Sequence, residues 1–217
     1  MSPRVFSMAV LGFPYGMMYY LAVSTLQTWL KDLNFSNTLI GLWCLVYLPS
    51  NFKFILAPFI NKIKIPFLYK ILGHRRSWLV LAHASLMFFL VCIGFSNPQK
   101  HLIYTVIFTV GLSIFAAIQD IVVDAYRIEI LTKEQSGPGV GMLMFGYRMG
   151  SLMASAGALY LAEFHGWRIS YLVMALFVFL GVIAALLNPE PSVTLQTGKS
   201  FFKTYVVEPL RDLFERP

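Results

Sequence analysis

The residues with the clearest chemical potential lie at the end of an apolar stretch that begins near Leu102. Gln119, Asp120, Asp124 and Arg127 fall within that stretch. On an α-helix, Asp120, Asp124 and Arg127 share one face, because their spacing is i, i+4 and i+7. A charge that faced lipid there would cost about 2.5–3.5 kcal/mol even on a lenient scale. The spacing therefore predicts that this face looks into a protein interior or a water-filled cavity.

This charged face suits proton chemistry or gating. Carboxyl groups inside membrane spans often carry protons along a relay. We therefore predict a proton-coupling or gating role for Asp120, Asp124 and Arg127, with Asp120 as the preferred proton carrier. Asp124 and Arg127 lie nearer the interface and suit a gate or a structural pair. Glu129, at the end of the same helix, is expected to be solvated.

A further charge, Arg148, lies inside the next apolar stretch. It is about ten residues into its helix, hence roughly 15 Å from the membrane edge and near the midplane. Its guanidinium could bind a carboxylate or a phosphate on a substrate. Arg148 is also the natural counter-ion of Asp120, and the pair would then hold the fourth and fifth helices together. The sequence leaves both interpretations open.

The composition identifies the class of protein. The 217 residues are 58% hydrophobic and 12% charged, and the mean hydropathy is +0.68. Soluble domains carry about 25% charged residues, so we expect an integral membrane protein surrounded by lipid. The formal net charge of +7 comes largely from basic residues in loops between apolar stretches, as membrane topology requires. No basic stripe lies on a soluble segment, so a nucleic-acid partner is rejected.

Six apolar stretches are long enough to span about 30 Å of hydrocarbon, which takes roughly 20 helical residues. They predict an all-α membrane protein with a six-helix transmembrane bundle in residues 1–191. A cytoplasmic amphipathic tail or linker is expected over residues 192–217. The predicted spans lie at about 5–30, 37–60, 78–95, 102–130, 138–162 and 169–187.

A basic loop between the second and third spans sets the expected topology. Its cations are Lys62, Lys64, Lys70, Arg75 and Arg76. Such loops are typically cytoplasmic, which places both termini in the cytoplasm. The external turns then hold only Lys31, Lys100 and Arg168.

The chain contains signs of an internal repeat. Residues 75–82 and 168–175 both read Arg-x-Ser-aromatic-Leu-Val-x-Ala, and residues 36–47 share Ser, Gly and Tyr positions with 136–147. Residues 75–82 and 168–175 lead into the third and sixth helices, respectively. Residues 36–47 and 136–147 lead into the second and fifth helices. Matching helices would cross in opposite directions, as an inverted three-plus-three repeat requires. This pattern favours a transporter.

Polar and helix-breaking residues within the spans indicate a pathway. Gly12, Pro14 and Gly16 interrupt the first span, either to border a cavity or to allow close helix packing. For Lys53, snorkelling toward the interface is favoured over a substrate contact. His83 is interpreted as a packed neutral imidazole rather than a cavity residue. The residues placed along the substrate pathway are Arg148, Gln119, Tyr147, Lys53 and Gln27.

Signatures of catalysis and of metal binding are missing from the sequence. It contains no HExxH, GxSxG, CxxC or GxxxxGK[ST] motif. Cys44 and Cys92 have no Cys or His neighbour at metal-ligand spacing. We therefore expect no catalytic residue, no metal and no cofactor. A polytopic membrane enzyme is the least favoured alternative.

Several distinctive motifs occur in one order along the chain. They are Ser24-Thr25-Leu26-Gln27-x-Trp29-Leu30, Lys53-Phe54-x-x-Ala57-Pro58, Gly73-x-Arg75-Arg76-x-Trp78, Gln119-Asp120-Ile121-x-x-Asp124-Ala125-Tyr126-Arg127, Gly146-Tyr147-Arg148-x-Gly150 and Gly166-Trp167-Arg168-x-x-Tyr171-Leu172. Together they resemble the AmpG-type muropeptide permeases of the major facilitator superfamily. The resemblance covers about residues 8–191, and the Gln-Asp-x-x-x-Asp element is shared with the related acetyl-CoA transporters. One departure is that the usual Gly-x-x-x-Asp start of the basic loop reads Ala57-Pro58-Phe59-Ile60-Asn61.

The resemblance implies a proton-driven carrier in the bacterial inner membrane that imports anhydro-muropeptides for peptidoglycan recycling. The resemblance is also compatible with another polar substrate, such as a CoA thioester. Carriers of this kind have two helical bundles with the substrate between them, whereas six spans make one bundle. We therefore expect a homodimer, a separately encoded second bundle, or an inactive truncated remnant.

Overall fold

The computed structural model describes residues 3–191, and within them every regular element is helical. Three long helical stretches come first: α1 (Pro3–Asp32), α2 (Asn37–Lys62) and α3 (His74–Phe95). They are followed by α4 (Pro98–Ile130) and by a helical stretch over Lys133–Leu187. These five stretches are long and apolar enough to cross a membrane. The predicted tail over residues 192–217 lies outside the described residues.

The stretch Lys133–Leu187 contains two spans because the chain reverses at Gly166. This residue has φ 83° and ψ 160°, a conformation that favours glycine. The Ser170 hydroxyl donates to the Ala158 carbonyl at 2.7 Å, whereas twelve residues of straight helix would span about 18 Å. We name the two parts α5 (residues 133–165) and α6 (residues 167–187). The predicted all-α membrane fold with a six-helix bundle is therefore confirmed.

Helices α1 and α5 pack with their backbones in close approach. Gly12 and Gly16 on α1 face Gly146 and Gly150 on α5, and in each pair the glycines are four residues apart. A Cβ added to any of the four would overlap the backbone of the opposite helix. Small residues at this spacing are the usual way for membrane helices to pack closely. The glycines of the first span therefore serve helix packing, one of the two alternatives left open by the sequence.

The neighbour relations match those of an inverted repeat. Helix α1 packs against α5 as α4 packs against α2, and α3 contacts both α4 and α6. If α1, α2 and α3 are exchanged with α4, α5 and α6, respectively, the α1–α5 pair becomes α4–α2, and the α3–α4 pair becomes α6–α1, which is also in contact. The α3–α6 pair is unchanged by this exchange. Gly94 on α3 approaches Tyr171 on α6, which fixes the central pair.

Helix α2 is the least covered span. Only 6% of its most apolar window is buried, against 39–56% in the other stretches. It is also irregular, with a 3₁₀ segment at Trp43–Tyr47 and a non-helical residue, Phe52, at φ −88° and ψ 20°. The outer face of α2 is therefore available to lipid or to another bundle.

Candidate functional site

A polar cavity of about 300 Å³ opens where α1, α2, α4 and α5 meet. Its wall combines four tyrosines with charged, amide and hydroxyl side chains. The lining residues are Tyr15, Met18, Tyr19, Tyr47, Ser50, Asn51, Lys53, Ala116, Ala117, Gln119, Asp120 and Tyr147. A larger groove of about 480 Å³ on α2 is lined by Leu45, Leu48, Phe52 and other apolar residues, and it offers no polar side chain for recognition.

An ion pair between Lys53 and Asp120 lies in the wall of this cavity. The Lys53 ammonium on α2 donates to Asp120 Oδ2 on α4. The Asp120 side chain is 14% exposed, whereas that of Lys53 is 48% exposed. Lys53 directly follows the non-helical Phe52, which breaks α2 at this level. The cavity therefore gives both charges an environment that lipid could not provide.

Of the two interpretations left open for Arg148, the pairing with Asp120 does not occur, because Asp120 binds Lys53 instead. Arg148 is exposed on α5, and its guanidinium makes no ion pair with any residue of the described range 3–191. The reason is helical geometry. Gly146 and Gly150 face α1, and a residue two positions after Gly146 lies about 200° around the helix. Tyr147, one position earlier, lines the cavity as placed by the sequence analysis.

Tyrosine rings form the aromatic part of the wall. The ring of Tyr15 meets that of Tyr147 edge-on, with centroids 5.3 Å apart, and Tyr19 meets Tyr47 at 5.4 Å. Tyr15 also approaches the carboxylate of Asp120 closely enough to interact with it. Tyr15, Tyr19 and Tyr47 were not among the site residues predicted from the sequence. The i, i+4 spacing of Tyr15 and Tyr19 on α1 was the available signal.

Asp124 and Arg127 are placed away from the cavity wall. Arg127 Nη2 lies 3.3 Å from Asp124 Oδ1, an i, i+3 pair on the surface of α4. Neither residue lines the cavity around Asp120. The structure thus divides the predicted charged face into two separate ion pairs.

Gln27 bridges α1 and α2 outside the cavity wall. Its Nε2 donates to the Ile40 carbonyl at 2.9 Å and to Cys44 Sγ at 3.3 Å. Gln119 does line the cavity, and it is fully buried. Its Nε2 lies 3.1 Å from Nε2 of His83, which is also fully buried.

The basic loop divides into exposed and buried cations. Lys62, Lys64 and Lys70 are exposed. Arg75, in contrast, is buried, with Nε 2.9 Å from Glu129 Oε2 and Nη2 2.5 Å from Glu129 Oε1. Its Nη1 also donates to an Asn61 oxygen at 2.7 Å. Glu129 was expected simply to be solvated, whereas it binds Arg75.

The start of α3 is also bound to the end of α6. Glu190 accepts hydrogen bonds from the backbone N–H groups of Arg75 and Arg76, at 2.8 and 3.0 Å. The Arg76 side chain donates to the carbonyls of Ala185 and Leu186, at 2.8 and 2.5 Å. The anion lies at a helix N-terminus and the cation at a C-terminus, as the helix dipoles favour. Glu190 was not among the residues predicted from the sequence to form contacts.

Residues 3–191 contain no group of three or more His, Cys, Asp or Glu side chains that could hold a metal ion. The cavity wall instead offers an ion pair, amides, hydroxyl groups and aromatic rings.

Comparison with known proteins identifies the family. A sequence model described as "Major Facilitator Superfamily" matches residues 8–217. The chain belongs to the major facilitator superfamily. The resemblance inferred from its motifs is thus confirmed.

Similar members of the superfamily are named as transporters. The anhydromuropeptide permease of Escherichia coli K12 is 35% identical over 215 residues, which cover 99% of this chain and 43% of that protein. The putative transporter AmpG 1 of Rickettsia bellii is 37% identical over 160 residues, covering 74% of this chain and 39% of that protein. The putative transporter AmpG 4 of Rickettsia felis is 31% identical over 219 residues, covering 98% and 53%. The chain therefore spans about half the length of these relatives.

Proposed function

We propose that the chain forms one bundle of a secondary transporter that imports anhydro-muropeptides for peptidoglycan recycling. The observation that carries this proposal is the Lys53–Asp120 ion pair in the wall of a polar cavity between membrane-spanning helices. Charged residues inside membrane spans typically mark substrate or proton pathways. The cavity supplies the aqueous environment that such a pathway needs.

The lining of the cavity fits a glycopeptide. Aromatic faces such as those of Tyr15 and Tyr147 suit the apolar faces of sugar rings, and Asn51 and Gln119 can exchange hydrogen bonds with hydroxyl and amide groups. Lys53 supplies a cation for a peptide carboxylate. The name of the E. coli relative, anhydromuropeptide permease, supports this substrate. A CoA thioester remains the alternative substrate, to be compared in the same assay.

A second bundle would complete the pathway. The cavity is walled by α1, α2, α4 and α5, and α2 leaves its outer face uncovered. We propose that a second copy of the chain, or a separately encoded bundle, faces this side and encloses the substrate. Members of the superfamily are built from two such halves.

The proposed location is the bacterial inner membrane, with both termini in the cytoplasm. Lys62, Lys64 and Lys70 are exposed in the loop between α2 and α3, which supports a cytoplasmic position for that loop. Asp120 lies on the same helix as the external turn near Lys100, about 30 Å farther along its axis. Its carboxylate lies in the wall of the cavity, which offers a route for a proton.

Uptake of labelled anhydro-muropeptide into vesicles that contain only this chain tests the proposal. We expect uptake to depend on an imposed proton gradient and to fall at least about tenfold in Asp120→Asn, because the amide cannot carry the proton. Asp124→Asn, whose carboxylate lies outside the cavity wall, is the matched control and should retain uptake.

The remaining outcomes of this assay separate the alternatives. Gradient-dependent uptake that ignores Asp120→Asn would remove this residue from proton coupling. Uptake of labelled acetyl-CoA instead would change the substrate. No uptake, together with a monomer in detergent, would identify an inactive half that lacks its second bundle.

A further inference from the structure

A fully buried pair of polar side chains lies behind the cavity wall. His83 on α3 and Gln119 on α4 both have 0% exposure. Their Nε2 atoms are 3.1 Å apart, which is hydrogen-bond distance. One of the two nitrogens must donate and the other must accept.

The surroundings of His83 decide which nitrogen donates. Its Nδ1 lies 2.7 Å from the carbonyl oxygen of Leu79. A carbonyl oxygen can only accept, so Nδ1 carries the hydrogen. No carboxylate is hydrogen-bonded to the ring within residues 3–191, and a buried imidazole without an anionic partner stays neutral. Nε2 of His83 is therefore the acceptor, and the NH₂ group of Gln119 donates to it.

This hydrogen bond fixes the orientation of the Gln119 amide. With Nε2 turned to His83, the carbonyl oxygen Oε1 is the free acceptor of the amide, and it is buried at the wall of the cavity that Gln119 lines. Oε1 accepts no hydrogen bond from any residue in the described range. A buried acceptor without a partner is costly, and an occupant that donates a hydrogen bond would remove that cost.

Close packing from two other helices holds the imidazole ring. A Cβ added at Gly181 on α6 would overlap Cδ2 and Nε2 of His83 and would also approach Pro14 on α1. The ring is therefore enclosed by α1, α4 and α6 and has little freedom to turn. Because the His83 ring cannot turn freely, its hydrogen bond keeps the Gln119 amide in one orientation.

We propose that His83 is a positioning residue of the cavity. It sets the Gln119 amide so that Oε1 receives a hydrogen bond from a hydroxyl or N–H group of the substrate. The choice of anhydro-muropeptide as ligand rests on the proposed function, whereas the orientation of the amide does not. His83 itself does not touch the substrate.

Nitrogen-15 magnetic resonance of the full chain, labelled at histidine and reconstituted in bilayers, tests the orientation directly. The signals of His83 are assigned by their loss in His83→Phe. We expect a protonated Nδ1 and an unprotonated Nε2, with the Nε2 signal shifted in Gln119→Leu. A protonated Nε2 would overturn the proposal, because Gln119 would then have to turn its carbonyl to the ring.

Calorimetric titration with anhydro-muropeptide tests the consequence for binding. His83→Phe keeps a ring of similar shape but removes the acceptor, and we expect affinity to fall about tenfold, as for one lost hydrogen bond. In the Gln119→Leu background, His83→Phe should have no additional effect, because its influence passes through the amide. His165→Phe, at an exposed position near the external turn, is the control.

The two measurements separate the possible failures. Unchanged affinity in His83→Phe, or an equal loss in both backgrounds, would overturn the positioning role. No binding by the unsubstituted chain would contradict the proposed substrate. The nitrogen-15 result would then decide the orientation of the amide by itself.

Discussion

At the scale of single residues, the main correction concerns the partner of Asp120. The sequence showed that its carboxylate needs a partner, and it suggested Arg148, whereas Lys53 was expected to snorkel toward the interface. The actual partner, Lys53, could not be predicted, because the pairing depends on the break at Phe52 in α2 and on the rotation of α5 about its axis. Both are consequences of packing between helices that are distant in sequence.

The Lys53–Asp120 pair predicts a coupling in stability. Lys53→Met leaves the carboxylate unpaired in the cavity wall, whereas Lys53→Met combined with Asp120→Asn removes both charges. Because Lys53 is half exposed and solvent screens the pair, we expect a loss of only about 1 kcal/mol in the single variant and partial recovery in the double variant. Thermal unfolding in detergent measures both.

Lys62→Met is the control for this pair, since Lys62 is exposed and makes no ion pair within the described residues. Equal unfolding temperatures for the single and double variants would show that the two charges are not coupled.

At the scale of elements, the glycines of α1 and α5 decide which helices meet. Their spacing of four residues is visible in the sequence and is typical of close helix packing. The sequence does not reveal that α1 pairs with α5, because each glycine contacts backbone more than a hundred residues away. The reversal at Gly166 was predicted as a turn, and the structure adds its positive φ.

Gly146→Ala is expected to destabilise the bundle. The added methyl group would overlap the backbone carbonyl of Ala9 on α1, and overpacking of this kind typically costs about 1–3 kcal/mol. Gly141→Ala on the same helix is the matched control, because a Cβ there meets nothing within 4 Å. Thermal unfolding in detergent should show a lower midpoint for Gly146→Ala than for Gly141→Ala. Equal midpoints would mean that α1 and α5 do not approach as described.

At the scale of the whole molecule, polar contacts tie the predicted cytoplasmic ends of the helices together. Arg75 binds Glu129 of α4 and Asn61 of α2, and Glu190 joins the start of α3 to the end of α6. Positive charge in this loop was predicted from topology alone. The specific partners could not be predicted, because the loop is linked to α4 and α6 only after the bundle has formed.

Glu129→Gln should lower the stability of the whole bundle. The change leaves the buried Arg75 without its anion, and breaking a buried ion pair typically costs about 3–5 kcal/mol. Because the Glu129 side chain is 24% exposed, we expect the lower end of this range. Glu134→Gln is the control, since Glu134 is exposed and forms no ion pair within residues 3–191. Unfolding by denaturant in detergent measures the difference, and equal stabilities would show that the pair is dispensable.

The family, the fold class and the six spans followed from the sequence because they depend on hydrophobic length, composition and local motifs. The residues of the cavity wall could be predicted from the sequence only in part. Gln119, Asp120, Lys53 and Tyr147 were identified because polar residues are conspicuous within apolar spans. Tyr15, Tyr19 and Tyr47 were missed because tyrosines are common in membrane helices and become a site only when α1 and α2 bring them together.

The central claim is that a water-accessible cavity receives the Lys53–Asp120 pair inside the bundle, and cysteine accessibility tests it most directly. Asn51 lines this cavity, whereas Ile107 is an exposed apolar residue on α4. With Cys44 and Cys92 replaced by serine, a membrane-impermeant thiol reagent should label Asn51→Cys in vesicles and leave Ile107→Cys unlabelled. Labelling of Ile107→Cys but not of Asn51→Cys would contradict the account.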